Sequence, residues 1–190
     1  MKEKVHDSLN FTNVDYSGQK VTNTEYDSCT FLNCNFSNSI LSENDFINCR
    51  FENCNFALAK LSGSGLKDVY FMDCKMIGIN FDHCSDFLFA ANFQKCTLDY
   101  ASFFKKKMKK AKFIDCSLKE VDFTSVDLSM AVFGNCDLSR AVFHESNLEK
   151  ADFRTATNYS FDPEANKIKR AKFSLSGISG LLGKYNIDIE

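Results

Sequence analysis

The chain has 190 residues, enough for one domain with a sizeable core, and its 20 Phe, 6 Tyr and lack of Trp point to a phenylalanine-built interior. One proline and eight glycines exclude a collagenous or linker-rich chain, and a formal net charge of −2 selects neither an acidic nor a basic partner. Lys2, Glu3, Lys4 and Asp7 leave no apolar stretch for an export signal, and no segment is long and apolar enough to span a membrane. The nine cysteines, odd in number, then imply reduced thiols, so a cytoplasmic protein without membrane association is expected.

Residues 1–8 read as an N-terminal tail. Beyond them apolar residues recur every five positions, from Phe11, Tyr16, Val21 and Tyr26 to Phe81. The rhythm resumes from Leu88, Phe93 and Leu98 to Phe153 with its phase advanced by two, making 29 units in all. Two positions before the large residue stands a small one, as at Cys34, Cys54, Ala59, Ala91, Ala131 and Ala151. Neither a helical period of about 3.6 nor a strand period of about two produces this pair of columns.

Val126-Asp127-Leu128, Cys136-Asp137-Leu138 and Ala151-Asp152-Phe153 follow an A(D/N)LXX pattern, and on these the chain resembles the pentapeptide-repeat family over residues 9–157. The resemblance implies an all-β fold, a right-handed quadrilateral parallel β-helix with four pentapeptides per coil. Its large and small residues point inward and the other three outward. Four sides demand a super-period of 20, and one side then reads Phe11, Phe31, Phe51, Phe71, continuing past the phase shift as Phe93, Phe113, Phe133 and Phe153. About seven coils at about 4.8 Å give a rod of roughly 34 Å. Every cysteine falls in the small inward column, where it serves as a compact buried hydrophobe. No CxxC pair exists and His6, His83 and His144 are scattered, so neither a metal nor a cofactor site is expected.

The pattern breaks in three places. At Cys84-Ser85-Asp86-Phe87-Leu88-Phe89 two residues are inserted, with Leu88 expected inward and Phe87 and Phe89 outward. Together with Tyr100 and Phe104 they would make an aromatic patch of the kind that marks a partner site. Next, Lys105, Lys107, Lys109, Lys110 and Lys112 form a basic belt, while Lys106 occupies a costly inward position, so either an ion pair with Asp86, one coil earlier, or an outward snorkel of its stem is expected. Finally, after Phe153 the rhythm stops. Asp162-Pro163-Glu164 reads as the start of a short helix to about Ile168, Ala171-Lys172-Phe173 restores one repeat on the phenylalanine side, and Leu175, Ile178, Leu181, Leu182 and Tyr185 form a helical apolar stripe. Residues 158–190 are therefore expected to cap the rod and to offer a surface for a homodimer.

No phosphate-binding loop or pocketed carboxylate pair is present, so catalysis is not expected. A protein-interaction role is. The resemblance extends to the Qnr and MfpA branch of the family, which implies DNA gyrase or topoisomerase IV as partner and protection from quinolones. The chain departs from that branch in lacking long loops within its coils. Its charge is also uneven, with 12 acidic and 7 basic side chains in residues 1–90 against 13 and 16 in residues 91–190. A scaffold docking another cytosolic protein on the aromatic patch is the second reading. Direct nucleic-acid binding through the lysine belt ranks last, because one belt around a rod does not track a backbone.

Overall fold

A large apolar residue every five positions can face one interior only if the chain turns a corner between them. The computed structural model, which describes residues 4–188, shows how the corners form. The residue two positions after nearly every large one takes a left-handed conformation, as at Asn33 (φ 54°), Asn38 (φ 56°) and Asn48 (φ 52°). Asn, Asp, Ser and Gly fill most of these corners up to Gly78, where the left-handed region costs least. The Asp or Asn before the large residue closes the corner by accepting the amide two residues on. Examples are Asp122 Oδ1 with the Thr124 N–H (2.8 Å) and Asp127 Oδ1 with the Ser129 N–H (3.0 Å).

The result is a right-handed quadrilateral parallel β-helix in which each coil lies in register on the last, Phe11 beside Phe31 and Phe31 beside Phe51. One sheet stacks β1 (Lys4–Asp7), β3 (Thr24–Asp27), β5 (Asp45–Ile47) and β7 (Gly65–Lys67). The adjoining side carries β2 (Asn10–Thr12), β4 (Thr30–Leu32), β6 (Arg50–Glu52) and β8 (Val69–Met72), continued by β9 (Ala91–Gln94), β10 (Lys112–Ile114) and β11 (Val132–Gly134). The other sides are joined by single parallel bridges, such as Asn35↔Asn55 and Ser102↔Asp122. Register shifts once, where Val69 pairs with Ala91 and Phe71 with Phe93 across the two-residue insertion.

Inside, the phenylalanine side is one continuous stack. Phe31 and Phe51 are 4.6 Å apart, Phe93 and Phe113 5.2 Å, Phe133 and Phe153 4.6 Å, and Phe153 and Phe173 5.4 Å. Rings of the neighbouring side meet it edge-on, as Phe103 meets Phe113 at 81°. All nine cysteines are free and buried. Most of their thiols donate to a carbonyl one coil earlier, as Cys54 does to Phe31 (3.4 Å) and Cys136 to Phe113 (3.3 Å). Asn44, fully buried in the same column, is held by the Val21 and Leu41 carbonyls and the Thr24 N–H.

Several boundaries differ from the sequence reading. Lys4–Asp7 is no tail but a strand in register with Thr24–Asp27, because its alternation lets His6 stack on Tyr26 at 5.1 Å. The solenoid also runs past residue 157, through the bridges Asn147↔Lys167 and Asp152↔Lys172. Over residues 162–168 there is a turn and no helix. Asp162 Oδ1 does accept the Glu164 N–H (2.9 Å), but Asn166 then ties the segment to the Phe143 carbonyl and the Ser146 N–H, so the inter-coil ladder prevails. The cap proper is two 3-10 helices, Leu175–Leu181 and Gly183–Tyr185, in place of an α-helix.

Candidate functional site

The structure gathers the unusual chemistry at the insertion. Lys106, 1% exposed, points inward, and its Nζ donates to Asp86 Oδ1 and to the Cys84 carbonyl, both at 2.6 Å. The Phe89 ring lies beneath that ammonium, 5.3 Å away. Asp86 itself stays largely in water, so this is a buried cation held by an exposed carboxylate, a carbonyl and an aromatic face.

Two of the three apolar residues at the insertion exchange places relative to expectation. Phe89 is buried at 8% exposure, and Leu88, with φ 56°, projects outward at 66% beside Phe87 at 68%. A corner residue must point away from the core, and placing the corner at Leu88 delivers Phe89 to the next inward position, against Phe81. Tyr100 is exposed at a different corner, and Phe104 is half-buried under the Lys105 ammonium at 4.8 Å. Among the described residues no ring contact joins Phe87, Tyr100 and Phe104, so the expected single patch resolves into a Phe87–Leu88 tip and two separate rings. Lys67 covers one face of the tip, 5.5 Å from the Phe87 centroid.

Lys105, Lys107, Lys109, Lys110 and Lys112 are all exposed. A second cationic segment, masked in the sequence by the break in the five-residue rhythm, lies further along the rod. Lys107-Met108-Lys109-Lys110-Ala111-Lys112 is matched three coils later by Lys167-Ile168-Lys169-Arg170-Ala171-Lys172, with the same spacing of charged and inward positions. A comparison at multiples of the coil period would have found it.

At the far end the glycine face of the cap is occupied by its own chain. A Cβ on Gly177 would overlap the Tyr159 hydroxyl, and one on Gly180 the Tyr159 carbonyl oxygen. Leu181 is buried against the last coil, Leu182 is half-buried, and Leu175 (88%), Ile178 (43%) and Tyr185 (51%) face out, so the five do not form one surface. Lys184 bridges Asp162 (2.8 Å) and Glu164 (2.6 Å), whose carboxyls are held below their ordinary range chiefly by hydrogen bonds from that ammonium. No group of three His, Cys, Asp or Glu side chains converges as metal ligands among the described residues, and none of their helices is long and apolar enough to cross a membrane.

Two family models match the chain. "Pentapeptide repeat region" matches over residues 24–103 and 44–123, and "Pentapeptide repeats (8 copies)" over residues 107–140 and 122–157. No curated protein matches by sequence. Among solved structures, a trypsin-treated variant of QnrB1, a plasmid-mediated fluoroquinolone resistance protein, aligns over 98% of this chain and 99% of its own at TM-score 0.60 and 19% identity. HetL, a pentapeptide-repeat protein involved in heterocyst differentiation regulation in the cyanobacterium Nostoc, aligns over 91% and 88% at TM-score 0.54 and 14% identity. Those likenesses speak to the fold, and with the family models, the five-residue period and the observed coils they carry one conclusion: the chain belongs to the pentapeptide-repeat family.

Proposed function

We propose that the protein is a non-catalytic interaction module of the cytoplasm whose partner is DNA gyrase or topoisomerase IV. The observation that carries this reading is the end-to-end match of its rod, cap included, to a fluoroquinolone resistance protein. A side-chain-filled rod presents outer faces in place of a cleft, which suits docking better than turnover. The experiment is a supercoiling assay with purified gyrase, with and without ciprofloxacin. Added protein should restore supercoiling in the presence of the drug, and unchanged drug inhibition together with unchanged basal supercoiling would overturn the proposal.

A homodimer through the cap belongs to the same reading, and Leu175 and Ile178 are the exposed side chains that support it. Leu175→Asp combined with Ile178→Asp should convert a dimer to a monomer in light scattering while Leu181 keeps the cap in place. A wild-type monomer would remove the dimer. A second reading, docking of another cytosolic protein, rests on the Phe87–Leu88 tip.

A further inference from the structure

The two matched cationic segments are far apart in the chain, and the coils bring them to the same edge of the rod. The ladder Lys107↔Asp127↔Asn147↔Lys167 fixes one side of that edge, and Lys112↔Val132↔Asp152↔Lys172 fixes the other. Each segment thus wraps one corner, the second three coils below the first. At about 4.8 Å per coil the two rows are about 14 Å apart along the axis.

All four cations of the first row are exposed, and so are all four of the second. Among the described residues none of the eight forms an ion pair with a carboxylate, whereas Lys67, Lys106, Lys119 and Lys184 all do. Eight such cations on one edge repel one another, an arrangement that favours an anionic ligand. Between the rows the surface changes character. A shallow depression lined by Met130, Val132, Lys150 and Asp152 runs there down to Arg170 and Lys172 of the second row. Two acids of this saddle have partners, Asp127 with the Ser129 N–H and the Asn147 amide, and Asp152 with Arg154 and, through space, the Lys172 charge.

We propose that the twin rows are a docking surface for double-stranded DNA, each row holding the phosphates of one strand. An evenly charged anionic sheet, such as a lipid surface, would press negative charge onto Asp127, Glu149 and Asp152 between the rows. Two strands flanking a groove place phosphates over the rows and leave the groove over the saddle. The minor groove of B-DNA, about 6 Å between its walls, sets its phosphate rows roughly 12 Å apart, within reach of flexible lysine stems on rows at about that spacing. Because the surface reads phosphates and no base edge, the binding is independent of sequence. It is also separate from the topoisomerase reading, since the assay below contains no topoisomerase.

The test is fluorescence anisotropy with a labelled 24-base-pair DNA duplex at about 50–200 mM salt, alongside the same-length single strand, an RNA duplex and phosphatidylserine vesicles. Wild-type protein should prefer the DNA duplex, with affinity falling steeply as salt rises. Lys109→Gln with Lys110→Gln, and separately Lys169→Gln with Arg170→Gln, should each weaken binding about tenfold and flatten the salt dependence by about two counterions. Lys20→Gln with Lys60→Gln, exposed lysines elsewhere on the rod, should leave affinity unchanged. Circular dichroism confirms that each variant keeps its fold. The proposal fails if the duplex is not bound at the lowest salt, if single strand, RNA or vesicles bind better, or if either row can be neutralised with no more effect than the control.

Discussion

Lys106 shows why a repeat tolerates an ion where it otherwise places Cys, Ala or Ser. The insertion bares the Cys84 carbonyl and turns Phe89 inward, and together with Asp86 these replace the water the ammonium gives up. Removing the charge partner alone strands a buried cation, whereas removing the cation leaves only one carbonyl unpaired. Asp86→Asn should therefore destabilise by about 1–2 kcal/mol, and Lys106→Met by less, in chemical unfolding. The reverse order would show that the pair does not anchor the insertion. Phe113 makes the opposite case of a residue that simply fills space. It is fully buried between Phe93 and Phe133, both 5.2 Å away, and Phe113→Ala should cost about 3–5 kcal/mol. A loss below about 1 kcal/mol would contradict a continuous stack.

The cap is an element held by few contacts. Leu181 anchors it, Gly177 and Gly180 let it lie on Tyr159, and Lys184 latches it to Asp162 and Glu164. In the 3-10 geometry of Leu175–Leu181 residues three apart eclipse, which places Gly177 and Gly180 on one line against Tyr159. Because both carboxyl pKa values are depressed by the folded-state latch, its contribution is complete above the unfolded carboxylate range near about 4 and is lost as pH falls through the lower folded values. Hydrogen-exchange protection over residues 175–185 should then fall on acidification below about pH 4, ahead of protection in β9 and β10, and the same loss should follow Lys184→Ala at neutral pH. Equal loss in cap and strands would mean that the latch is not a separate unit.

Across the whole rod, stability comes from neighbour-on-neighbour stacking, so a buried column is opened only by separating coils. The cysteine column samples this from Cys29 to Cys136. Burial pushes the Cys49 and Cys84 thiols up to about 12, which leaves almost no thiolate at neutral pH. A thiol reagent should label the native protein slowly, with all nine sites released when denaturant unfolds the rod. Fast labelling of several would show coils opening independently.

The five-residue rhythm and the period of 20 were legible in the sequence because every coil repeats the same inward demand, and the runs at Phe93, Phe113 and Phe133 keep their side even across the insertion. Where a segment meets two comparable demands, only the tertiary structure chose. Phe87, Leu88 and Phe89 are all large and apolar, and the placement of one left-handed corner decided which was buried. Asp162-Pro163 carries a helix-start signal, yet bridges to the coil above satisfied the backbone there instead. The cationic rows divide in the same way. Their residues are plain in the sequence, but their nearness exists only because three coil rises separate them in space, however long the chain that runs between.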